Sequence, residues 1–81
     1  MLRELKKLIE FGSDIELSIR GKEYVILPWT QEGIAIGERY SDDDEYFETA
    51  DSLFIEYLID GIPFYQLVDE MEITFSSGYA E

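Results

Sequence analysis

The stretch IELSIRGKEYVILPW, residues 15–29, carries the pattern that decides the fold. Ile15, Leu17 and Ile19 alternate with Glu16, Ser18 and Arg20, the period of two expected of a strand buried on one face. Gly21-Lys22 reads as a two-residue turn, with glycine at the first central position as a type II′ hairpin requires. On that register Ile19 faces Tyr24 and Leu17 faces Ile26, and the apolar side chains of both strands share one face. The second strand, residues 23–29, is apolar on its other face as well, because Val25, Leu27 and Trp29 point away from Tyr24 and Ile26. That face needs a cover, and the expected cover is intramolecular, a helix or the tail. Left bare, it is an apolar contact surface built around Trp29, a residue type enriched at interface hot spots. Pro28 cannot donate to a ladder, so the strand ends there or lies at a sheet edge.

On the N-terminal side, Leu2, Leu5, Leu8 and Ile9 recur at helical spacing, with Arg3, Glu4, Lys6 and Lys7 between them. Gly12 stands where a left-handed C-terminal cap falls, and Lys6 and Lys7 lie toward the negative end of the helix dipole. On the C-terminal side, residues 30–33 form a polar turn and residues 34–40 a third strand. In that strand Gly37 leaves a thin spot suited to a bulge or to close approach of a neighbouring backbone. Residues 46–48 leave room for a short fourth strand. Thr49 is an N-cap for a helix with the apolar stripe Leu53, Phe54, Tyr57 and Leu58, ending at Asp60-Gly61. Pro63 suits the first position of a last helix, whose buried face is Phe64, Leu67, Val68 and Met71. The residues after Ile73 read as a short strand or a frayed tail. The chain is therefore expected to be an α+β domain: one N-terminal helix, a three-stranded antiparallel sheet with the optional fourth strand, and two C-terminal helices. A single compact unit over residues 1–75 and a flexible tail over 76–81 complete the expectation.

Composition narrows the chemistry. With 81 residues, 46% of them hydrophobic and 15% aromatic, the chain can bury one modest core and does not resemble a disordered acidic tail. It has neither cysteine nor histidine, which removes disulfides, thiolate chemistry, the commonest metal ligand and the usual general base near neutral pH. Gly33-Ile34-Ala35-Ile36-Gly37 lacks the pattern and the lysine of a phosphate-binding loop. Counting an EF-hand loop from Asp42 puts Phe47 at the sixth position and Leu53 at the twelfth, where glycine and glutamate are required. No enzyme activity, cofactor or metal is expected. No apolar run is long enough to span a bilayer, and Met1 to Glu10 is amphipathic and charged, unlike a signal peptide, so a cytoplasmic location is expected.

Charge is the most informative property. Residues 1–39 hold seven acids and six bases, whereas residues 40–81 hold twelve acids and no base, within a net charge of −13. Direct binding to nucleic acid or to an anionic membrane is disfavoured. Asp60, Asp69, Glu70 and Glu72 fall in or beside the expected C-terminal turns of helices, where a negative charge costs about 0.3–1 kcal/mol at low salt. An anionic surface kept against such self-repulsion suggests a cationic partner, although negative charge also serves solubility. The expected contact residues are Asp42, Asp43, Asp44, Glu45 and Glu48, with Asp69, Glu70 and Glu72 as a second cluster. An alternative is an adaptor or self-associating protein, monomer or dimer, that uses Val25, Leu27 and Trp29.

In element order and charge, residues 1–72 resemble small acidic proteins encoded by bacterial prophages, most of all the anti-CRISPR inhibitors that mimic DNA. Such inhibitors occupy the PAM-reading groove of an RNA-guided nuclease. The resemblance rests on no motif and carries over no residue by identity. It implies a mechanism of competition, in which carboxylates engage the arginines that would otherwise read the PAM. It also implies a partner that is a basic nucleic-acid-binding protein, in the cytoplasm of a phage host.

Overall fold

The computed structural model describes residues 2–77. The elements run α1 (Leu2–Phe11), β1 (Ile15–Ile19), β2 (Lys22–Thr30), β3 (Gly33–Glu38), β4 (Glu45–Phe47), α2 (Ala50–Glu56), β5 (Leu58–Ile59), β6 (Ile62–Pro63), a 3-10 helix (Phe64–Glu70) and β7 (Glu72–Ser76). The class is α+β, but the sheet has five antiparallel strands, in the order β4-β3-β2-β1-β7, rather than three. Two short edge strands account for the difference. Tyr46 and Phe47 pair with Ala35 and Ile34 and make β4. Residues 72–76 alternate just long enough to pair with β1, across a bulge opposite Glu16 and Leu17, and make β7. Ser77 extends that pairing: its N–H donates to the Asp14 carbonyl (3.0 Å), and its hydroxyl oxygen accepts from the Asp14 N–H (3.2 Å). Of the expected tail, residues 78–81 lie outside the described residues.

The central hairpin turns at Arg20-Gly21 rather than at Gly21-Lys22. Ile19 pairs with Lys22, Leu17 with Tyr24 and Ile15 with Ile26. Both turn residues have positive φ, 53° and 80°, as a type I′ turn requires. The register differs from the sequence expectation by two residues, a whole period, so every side chain stays on its expected face. Ile15, Ile26 and Ile36 therefore stack side by side across three strands, each fully buried.

Three helical segments cover that face alone. Leu5, Leu8 and Ile9 of α1 pack on it, and Gly12, with positive φ, closes the helix while Ser13 N–H donates to the Leu8 carbonyl (3.1 Å). Because α1 runs to Phe11, Lys6 and Lys7 fall short of its last turn. Thr49 caps α2 by accepting from Ser52 N–H (3.0 Å). The helix ends at Glu56, earlier than expected. Asp60-Gly61 is instead the type I′ turn of the tiny β5–β6 hairpin, with φ of 55° and 77°. The last helix is 3-10 in form, which suits its buried pair Phe64 and Leu67, three residues apart. Phe64 sits between Phe54, stacked at 6.2 Å between centroids, and Tyr57, edge-on at 6.1 Å.

The other face of the sheet carries no such layer. Neither Val25 nor Leu27 belongs to the core cluster, and the expected intramolecular cover is not found among the described residues. The helices cannot supply it, because each has one apolar stripe and all three stripes are spent on the isoleucine face.

Candidate functional site

Cross-strand partners share a face, so the open side can be read from the pairing. One row crosses all five strands: Phe75 of β7, Glu16 of β1, Val25 of β2, Gly37 of β3, and then Asp44 at the entry to β4. Gly37 is the thin spot expected there, and the close neighbour is the acidic turn. A Cβ at position 37 would fall on the Asp44 carboxylate and within 3.2 Å of its Cα. A second row holds Leu27, Ala35 and Tyr46. A third holds Glu72, Ser18 and Glu23. Phe75 and Tyr46 are about half exposed, at 50% and 47%.

The middle of this face is partly neutralised, with one guanidinium set against two carboxylates. Arg39 donates from one guanidinium nitrogen to Glu16 (2.8 Å) and to Glu23 (3.1 Å), and the guanidinium lies 5.0 Å from the centre of the Tyr40 ring. The two acidic clusters lie at the edges. Asp42 and Asp43 occupy the turn after β3, where the Ser41 hydroxyl accepts from the Asp43 N–H (3.0 Å). Asp44 leans onto the open face. Glu45 pairs with Ile36 and so lies on the helical side, and Glu48 stands just before the α2 cap. These five carboxylates are thus strung along the β4 edge rather than gathered on one face. Among the described residues none of them makes an ion pair.

Four of the six cations are committed elsewhere or to the centre of the open face. Lys6 meets Asp51 (3.1 Å), Lys22 meets Glu38 (3.8 Å), and Arg20 reaches both Glu70 and Asp60. The Arg20–Glu70 contact is a two-pronged hydrogen bond, at 2.8 and 3.2 Å, and it holds the Glu70 carboxyl below its usual range. Of the second cluster, then, Glu70 is already taken, Asp69 is exposed on the 3-10 helix, and Glu72 faces the open side at the β7 edge. No group of three or more Asp or Glu side chains among the described residues converges as metal ligands would. No described helix is long and apolar enough to cross a membrane.

Comparison with family models, curated proteins and solved structures finds no match. The sequence singled out Val25, Leu27 and Trp29 for the apolar surface. The structure keeps the first two on the open face, but a register break between Leu27 and Thr30 leaves Pro28 and Trp29 without strand partners. Trp29 is 62% exposed and donates its indole N–H to the Asp14 carboxylate. Sequence reasoning missed Tyr46 and Phe75, whose place depends on strands too short to announce themselves. It also missed Arg39, whose position as the last base of the chain was the available signal.

The field of the β4 edge also reaches inward. Tyr57 is buried, and its phenol is pushed up to about 12, by desolvation first, with Tyr24, Glu45, Glu38 and Asp44 adding to it. A phenol whose folded pKa lies above its unfolded value near 10 stabilises the fold fully below pH 10, and that stability is lost as pH rises toward 12. Tyr57→Phe is expected to hold its circular dichroism to higher pH than the parent chain in an alkaline titration. Identical curves would mean that another tyrosine governs the transition.

Proposed function

We propose that this chain is a cytoplasmic, non-enzymatic binding protein that presents a nucleic-acid-like anionic edge to a basic nucleic-acid-binding protein and competes with nucleic acid for that surface. An inhibitor of a DNA-binding enzyme, such as an RNA-guided nuclease, is the form this takes in the family it resembles. One observation carries the reading: among the described residues five carboxylates within residues 42–48 make no ion pair, while four of the six bases, Lys6, Arg20, Lys22 and Arg39, are held by other acids. Uncompensated charge held along a paired strand edge attracts and orients a cationic partner, and its contribution fades as salt shortens the Debye length below about 10 Å. A second reading, an adaptor that binds through the apolar sheet face, is favoured by the half-exposed Tyr46 and Phe75 on that face and by Val25 and Leu27 lying outside the core cluster. The two differ in their response to salt.

The test is capture of a partner at about 0.1 M salt, its identification, and then a binding titration of the purified pair against salt and against duplex DNA. Duplex DNA is expected to displace the chain. The variant carrying Asp42→Asn, Asp43→Asn, Asp44→Asn, Glu45→Gln and Glu48→Gln is expected to bind at least about tenfold more weakly, with a flatter salt dependence. Unchanged affinity in that variant, or a partner indifferent to DNA, sinks the reading.

A further inference from the structure

β4 is the last strand on its side of the sheet, so its outer edge has no strand beyond it. The ladder fixes which of its backbone groups face outward. Arg39, just after β3, donates its N–H to the Glu23 carbonyl (2.8 Å). By alternation Gly37 and Ala35 also turn their N–H and C=O toward β2, where they face Val25 and Leu27. Ile36 and Ile34 then turn theirs the other way, to Glu45 and Phe47 of β4. Tyr46, between those two, is left with its N–H and C=O on the outer side. A backbone donor and acceptor facing out of a strand edge form the template to which an extended chain adds.

The charge at this edge narrows the occupant. Asp44 leans onto the open face and Glu45 lies on the helical side, so the edge carries carboxylates on both faces of the sheet. A helix laid on either face meets the charge of that face alone. An extended chain in the plane of the sheet sends successive side chains to opposite faces and reaches both. A second copy of the chain would set the same acids against themselves, at −13 per copy, and a nucleic acid is repelled on the same ground.

We infer that the β4 edge is a strand-addition site for an extended basic segment of the partner protein. The segment joins the sheet beyond β4 and bonds through its backbone to Tyr46. Its lysine or arginine side chains meet Asp44 on one face and Glu45 on the other. The Tyr46 ring, half-exposed on the open face, is its cross-strand neighbour. With only three residues β4 is a short template, so backbone pairing and charge must act together. A neutral strand lacks the attraction, and a basic segment in another conformation lacks the ladder. This inference rests on the proposed function, since it names the edge and the conformation in which a basic partner is held.

The probe is a synthetic peptide of about eight residues, long enough at about 3.3 Å per residue to pass β4 and the acids beside it. It is built of lysine, valine and threonine, with lysines at adjacent positions so that both of its faces carry charge. It is titrated into the full chain by NMR. The Tyr46 amide is expected to exchange at least about tenfold more slowly in the complex than in the free chain. A second peptide of the same sequence, methylated on its backbone nitrogens, keeps every charge and loses the donors of the ladder. It is expected to bind about tenfold more weakly. Equal affinity of the two peptides would overturn the inference while leaving the anionic-edge reading intact, and so would an unchanged Tyr46 amide in the saturated complex. Absence of binding by the first peptide would overturn it too. The proposed function itself stands or falls separately, on displacement of the chain by duplex DNA.

Discussion

Phe64→Ala is expected to remove a large part of the stability of the fold, about 3–5 kcal/mol. Phe64 is fully buried, between the stacked ring of Phe54 and the edge-on ring of Tyr57, and Tyr57 in turn meets Phe47 at 6.3 Å. The ring is thus the hinge between three separately made pieces: α2, the β5–β6 hairpin, and β4 through Phe47. Truncating a phenylalanine in such a place removes its transfer free energy and leaves a cavity that rigid rings cannot close, together about 3–5 kcal/mol. A domain of this length has about 4–12 kcal/mol in total. Urea titration followed by circular dichroism reads the difference, with Phe75→Ala as the control, since a half-exposed ring on the open face should cost little. A loss below about 1 kcal/mol for Phe64→Ala would mean that the helical layer is held elsewhere. Because Phe64 is fully buried and out of a partner's reach, lost binding in this variant would report unfolding and not a missing contact.

What could be read from the sequence divides along physical lines. The hairpin faces, α1 with its glycine cap, and the Thr49 cap all depend on neighbours a few residues away, and all were legible. The turn was misplaced because Arg20 occupies a left-handed position that glycine was expected to hold, and a two-residue shift leaves no trace in the polarity pattern. β4 and β7 are strands only because Ile34 and Leu17 offer them a ladder, and three to five residues of alternation do not declare themselves without it. The same distance dependence governs the site. The charge asymmetry was visible as composition, but the Arg20–Glu70 and Lys6–Asp51 pairs join residues fifty and forty-five positions apart. Nothing local predicts which acids are answered and which are left over. The open face also followed from topology: none of the described helices lies on it, because all of them were needed on the isoleucine side, and its Val25 and Leu27 are half-buried.

Gly33→Ala is expected to separate the amount of charge from its placement. Gly33 has φ of +119° and lies against β4 so closely that an added Cβ would stand 2.6 Å from the Phe47 carbonyl oxygen and 3.3 Å from its carbon. Side chains can swing aside, but a paired backbone cannot. The backbone conformation alone costs about 1–3 kcal/mol for a residue with a side chain. The contact then pushes at a strand of only three residues on a sheet edge, the part of the fold with least to hold it. β4 should yield first, seen as faster amide exchange at residues 45–47 while Leu17 and Ile26 stay protected. Gly61→Ala is the matched control. It too has positive φ, 77°, but nothing lies within 4 Å of the added carbon, so it measures the backbone term without the clash. Gly33→Ala keeps all nineteen acids of the chain. If charge alone recruited the partner, the folded fraction would bind as the parent does. If the edge must be held in register with the open face, affinity falls with β4 even though the net charge has not changed, and the five carboxylates act as a placed array rather than as a diffuse field.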